Sequence, residues 1–132
     1  MNNTPFLRNA LLLDAAVSGT AALLMIAGAP LLAQLLQLPE TLLVWAGIVL
    51  VPWVALLFAL FRRPTISRIL LIDVIGVNAL WAAASIGLLF TGWVSPNMLG
   101  YAFVVAQAAA VALFAELQFI AMRRADTVMS RQ

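Results

Sequence analysis

The sequence predicts an all-α integral membrane protein built as a four-helix antiparallel bundle, and three observations carry that expectation. The 132 residues are 65% hydrophobic and only 9% charged, with a mean hydropathy of +1.09; a soluble domain is about 45–50% apolar and about 25% charged. Four apolar runs reach the length of about 20 residues that crosses a hydrocarbon core of about 30 Å. None of the runs alternates polar with apolar residues, which excludes the strands of a membrane β-barrel. Residues 1–132 are expected to form one membrane domain.

The first helix is expected over residues 8–29. Its apolar run is longer than a leader's, Asp14 interrupts it, and Pro30 follows Ala27-Gly28-Ala29, so it reads as a membrane span and not as a cleaved segment. Residues 30–38 place Gln34 and Gln37 on one face and Leu on the others, the pattern of a short interfacial helix or of a tail of the first helix kinked at Pro30. Pro39 and Glu40 suit the first turn of a second helix over residues 40–61, because Pro fits the first helical position and an acid complements the dipole. Trp45 near its start is placed as an interface anchor, and Pro52 should bend it. Arg62 and Arg63 end that run, and Pro64 restarts a third helix over residues 66–90. Ser95 as N-cap and Pro96 at the first position open a fourth over residues 96–123. Met129 to Gln132 reads as a solvated tail.

The seven basic residues are all arginines. Arg8 precedes the first helix, Arg62, Arg63 and Arg68 lie between the second and third, and Arg123, Arg124 and Arg131 follow the fourth. In an up-and-down bundle all of them fall on one side, which predicts a cytoplasmic basic ring, both termini cytoplasmic, and residence in the inner (plasma) membrane. Trp45, Trp93 and Tyr101 then form an aromatic belt at the opposite interface.

Three acids fall inside the spans. Asp14, Asp73 and Glu116 each lie roughly 7–11 Å along a helix from an Arg, at about 1.5 Å of rise per residue. They are expected to form an acidic layer facing the bundle interior. Three readings stay open: the acids pair with Arg or with Ser and Asn and pin the bundle together, they hold a proton or cation, or they simply reach interfacial water. Arg123, seven residues from Glu116, could reach back to it. Ser18, Asn78, Ser85 and Gln107 are expected to make polar helix contacts. Ala15/Gly19 and Ala79/Ala83/Gly87 follow the small-xxx-small spacing of close helix packing. Leu11-Leu12-Leu13-Asp14 and Leu70-Leu71-Ile72-Asp73 match, which suggests two parallel hairpin repeats with Asp14 and Asp73 in equivalent positions.

Leu13-Asp14 with Ser18-Gly19, Asn78 and Trp81 in helix three, and Ala115 to Gln118 before Arg123-Arg124 resemble the small uncharacterised four-helix inner-membrane proteins of bacteria. That resemblance implies a fold and a location and no activity. Asp14 also stands where the small multidrug resistance transporters carry a Glu, a looser similarity that lacks their other signatures.

The sequence has no Cys, His or Lys, which removes thiolate and imidazole chemistry. No enzymatic activity, no cofactor, no metal site and no nucleic-acid partner is expected. The expected function is that of an accessory or self-associating subunit acting through lateral helix contacts, in a homo-oligomer or a larger membrane complex. The alternative is a proton-coupled carrier of small hydrophobic or cationic compounds using the intramembrane carboxylates.

Overall fold

A computed structural model of the chain describes residues 2–131, with residues 126–131 as backbone only. The chain is all-helical: α1 Pro5–Ala27, α2 Ala29–Leu36, α3 Glu40–Arg62, α4 Arg68–Leu88 and α5 Met98–Arg131. Four of these helices, all but α2, are long and apolar enough to cross a membrane.

The ends of the helices differ from the expected ones: α4 covers Arg68–Leu88 and not 66–90, without a side-chain cap bond at Ser67, while caps account for the starts of α1 and α5. α1 starts three residues early because the Thr4 hydroxyl accepts from the Leu7 N–H at 3.2 Å, with Pro5 in the first turn. α1 and α2 part at Gly28, and Pro30 sits in the first turn of α2, where no backbone donor is missed. α2 ends at Gln37, which takes the left-handed conformation (φ 54°). α5 starts at Met98 and not at residue 96, because the cap is Asn97 and not Ser95. Asn97 Oδ1 accepts from the Gly100 N–H at 2.8 Å, while its Nδ2 donates to the Leu35 carbonyl at 2.7 Å. One side chain thus opens α5 and closes α2. α5 also continues past the expected end at 123, to Arg131, so the tail expected at Met129–Gln132 is helical backbone as far as it is described.

The helices stand in the order α3–α1–α5–α4. α1 packs along α3, α4 along α5, and α1 and α5 join the two hairpins; α2 lies against α1, α3 and α5. Gly47 allows a close approach of α1 and α3: a Cβ there would meet Ile26 Cγ1 at 2.7 Å and the Ala22 carbonyl at 3.1 Å. Among the described residues, no Cα of α3 lies within 8 Å of one of α4, nor any of α1 within 8 Å of α4. α3 and α4 are consecutive in the chain yet leave a crevice between them.

The N-terminal segment, the α3–α4 loop and the far part of α5 meet at one end. Asn3, buried at 8% exposure, donates from Nδ2 to the carbonyls of Leu60, Phe61 and Arg63, at 3.0, 3.3 and 2.8 Å. These lie at the C-terminus of α3, where helical carbonyls lack partners within the helix; Leu60 also accepts from the Arg63 N–H at 3.2 Å. Arg8 donates to the Arg63 carbonyl at 3.4 Å, and Arg124 lies 4.7 Å over the Phe6 ring. Arg8, Arg62, Arg63, Arg68, Arg123 and Arg124 therefore gather at this end. Trp45, Trp93 and Tyr101 are exposed toward the other end.

Candidate functional site

The core is two apolar clusters with a polar layer where one gives way to the other. Leu7, Leu11, Leu57, Leu60 and Leu71 belong to the cluster at the Arg-rich end. Met25, Leu36, Leu43, Leu50 and Val104 belong to the cluster at the opposite end. Between them stand Asp14 and Ser18 on α1, Asn78 on α4 and Gln118 on α5, all buried. Each occupies the middle of its helix's inward stripe, spaced three or four residues from apolar members: Leu11 and Ala22 on α1, Val74 on α4, Phe114 and Ala121 on α5.

Asp14 is the centre of this layer. Its Oδ2 accepts from Asn78 Nδ2 and from Gln118 Nε2, both at 2.8 Å, and its Oδ1 accepts from Ser18 Oγ at 3.1 Å. Asn78 Nδ2 also donates to Gln118 Oε1 at 3.0 Å. A carboxylate only accepts, so both amides must turn their nitrogens to Oδ2. Bonds to an ionised acceptor are roughly twice as strong as neutral ones, and in that form of Asp14 they offset the cost of a charged group in the membrane, about 2.5–3.5 kcal/mol at the centre of a span. The α1 and α4 backbones stay apart, and these side chains bridge them. Among the described residues all of Asp14's partners are neutral: of the two expected partner types, Arg or Ser and Asn, it bonds Ser18 and Asn78, with Gln118 added.

The crevice between α3 and α4 opens beside this layer. A cavity of about 320 Å³ has Ser18 and Asn78 at its floor and Val49, Trp53, Val77 and Trp81 among its walls. A second, of about 520 Å³, lies nearer the Arg-free end and includes Trp81, Ser85 and Gln107. Trp81 stands between the two, its Nε1 donating to Gln107 Oε1 at 2.9 Å. Val49 and Val77, on facing helices, are 54% and 45% exposed, so the mouth faces what surrounds the bundle. Pro52, which has no N–H to continue the helical ladder, is on the α3 wall.

The expected acidic layer is corrected here. Asp73 and Glu116 are exposed and do not join Asp14. Helical rise gives their height, but each residue also turns about 100°. Asp73 precedes the inward Val74, and Glu116 stands about 200° round α5 from Gln118, on the opposite face. Asp14 and Asp73 are therefore not equivalent, and Asn78 supplies the α4 polar group. Asn78 and Gln107 make bonds between helices, whereas Ser18 and Ser85 each donate within their own helix, Ser18 to Asp14 and Ser85 to the Trp81 carbonyl at 2.7 Å. Ala15 is buried and Gly19 faces Val54, whereas Ala79, Ala83 and Gly87 point outward.

Sequence reasoning missed the roles of Gln118 and Asn3. Gln118 had a signal: it is eleven residues, close to three turns, from Gln107, with Val111 and Phe114 between them on one face. Asn3 lacks one, because its partners lie near residue 60. No protein family, curated protein or solved structure matches the chain.

Proposed function

We propose that this is a non-enzymatic, multi-pass membrane protein that takes up a small apolar or amphipathic molecule from the bilayer into the crevice between α3 and α4. The observation that carries this reading is the crevice itself: two cavities, about 320 and 520 Å³, with mainly apolar walls and a polar floor. Ligand sites typically occupy about 300–1,000 Å³ with that composition. The reading is a sharpened form of the carrier expectation. Asp14 serves it from behind the floor, by fixing Ser18 and Asn78. The absence of His, Cys and Lys supports the non-enzymatic part.

Val77→Trp tests the proposal, because Val77 lines the cavity at its mouth and takes no part in the polar layer. With 1-naphthylmethanol as probe in lipid nanodiscs, and its partition into protein-free nanodiscs subtracted, the wild type is expected to bind saturably. Val77→Trp is expected to weaken that binding at least tenfold with thermal stability unchanged. Absence of saturable wild-type binding would return the function to lateral helix contact. That second reading is favoured by the outward groove between α4 and α5, where Ala83, Gly87, Ala108 and Ala112 leave room for another helix.

The one-sided arginines support residence in the inner membrane with both termini cytoplasmic. A reporter fused to the C-terminus is expected to be active only on the cytoplasmic side; activity on the outer side would reverse the assignment.

A further inference from the structure

The geometry points to a lipophilic primary or secondary ammonium as the guest of the crevice, held through its N–H groups by Asn78 Oδ1 and Ser18 Oγ in front of the Asp14 carboxylate. This inference rests on the crevice being a guest site and names the chemistry of the guest.

Hydrogen counting at the cavity floor leads to it. Asn78 carries two side-chain hydrogens, and its nitrogen donates to Asp14 Oδ2 and Gln118 Oε1. What Asn78 has left for the cavity is its carbonyl oxygen, which accepts no bond from the described residues. Ser18 has one hydroxyl hydrogen, directed to Asp14 Oδ1, so what remains at Ser18 is lone pairs. Both residues are more than nine-tenths buried, at 3% and 7% exposure, and both line the cavity. Trp81's N–H is likewise committed, to Gln107. The floor therefore offers acceptors and no donor. A guest bearing only acceptors, a ketone or a carboxylate, would leave those oxygens unmatched; a guest with N–H donors satisfies them.

Charge selects among donors. The Asp14 carboxyl behind the floor bonds only neutral groups among the described residues, and in its ionised form it attracts a positive guest in a poorly screened interior. Trp53 and Trp81 line the same cavity, and indole is the best aromatic partner for a cation. The remaining walls are apolar, which calls for a hydrocarbon or aromatic body on the ammonium. A quaternary ammonium carries the charge but no N–H, so it meets only half of these terms.

The test compares four probes in nanodiscs of zwitterionic lipid: 1-naphthylmethylammonium, its trimethylammonium analogue, 1-naphthylmethanol and 1-naphthoate. The primary ammonium is expected to bind at least tenfold more tightly than the alcohol and more tightly than the quaternary analogue, with naphthoate weakest. Asn78→Leu is expected to shrink the ammonium-to-alcohol preference to about twofold or less. Ser18→Ala, which removes less of the polar layer, is expected to reduce it severalfold, so the result does not hang on one variant folding. Equal binding of ammonium and alcohol, or a preference untouched in both variants, overturns the inference. If the alcohol binds and Val77→Trp blocks it while no ammonium preference exists, the crevice remains a guest site and only its assigned chemistry fails. If no probe binds saturably, the guest-site reading itself falls.

Discussion

Gln118→Leu is expected to cost the fold about 2–4 kcal/mol, a large effect for a substitution that nearly preserves volume. Leucine fills the space but removes the Nε2 donor to Asp14 Oδ2 and the Oε1 acceptor of Asn78. The carboxylate then keeps one donor fewer in an interior without water, and one Asn78 N–H is orphaned. The loss should be strongly non-additive. Once Asp14→Leu has removed the carboxyl, taking away Gln118 no longer deprives it of a partner. The double variant should therefore lose less than the sum of the two single losses by about 1 kcal/mol or more. Reversible unfolding of micelle-embedded protein by sodium dodecyl sulfate reads these differences. Strict additivity, or a Gln118→Leu loss below about 0.5 kcal/mol, would mean that the amides do not sustain the buried carboxylate.

Gly100→Ala is the second large effect. A Cβ at this position would run into the Leu36 carbonyl oxygen and Pro96. Backbone cannot turn aside as a flexible side-chain tip can, so α5 must shift against the end of α2. That shift also strains the Asn97 bonds to Leu35 and to the Gly100 N–H. Overpacking of this kind costs about 1–3 kcal/mol, and the loss of cap bonds brings the expected total to about 2–4 kcal/mol. Gly76→Ala is the control: a Cβ there meets nothing within 4 Å, and alanine's helix propensity should make it neutral or stabilising by up to about 1 kcal/mol. The same unfolding assay applies, and similar values for the two substitutions would show that α2 and α5 do not approach as described.

These two positions also mark what could be read from sequence and what could not. Run length exposed four spans, because the membrane demands about 20 apolar residues regardless of partners. Interior caps were harder: Ser95-Pro96 has the local signature, but Asn97 wins because it can reach Leu35 and Leu36 across the fold. Asp14 was legible as an interior polar residue. Asp73 and Glu116 were not separable from it, because counting along a helix gives depth while facing depends on rotation relative to neighbours. Gln118, two residues from Glu116, shows how much that rotation decides. The crevice was least legible of all, since it arises where α3 and α4 fail to pack, and sequence patterns report the contacts an apolar face could make and not the ones it leaves unmade.

The helix order that leaves this crevice open is the central claim, and a distance across it tests that claim most directly. The chain has no cysteine, so Val49→Cys with Val77→Cys places two nitroxide labels across the mouth between α3 and α4. A second pair, Ile86→Cys with Val105→Cys, spans the groove between the packed helices α4 and α5. Double electron–electron resonance in lipid nanodiscs should give a clearly longer distance for the Val49/Val77 pair than for the Ile86/Val105 pair. Equal distances, or a shorter one across α3 and α4, would mean that the bundle closes on that side and holds no crevice.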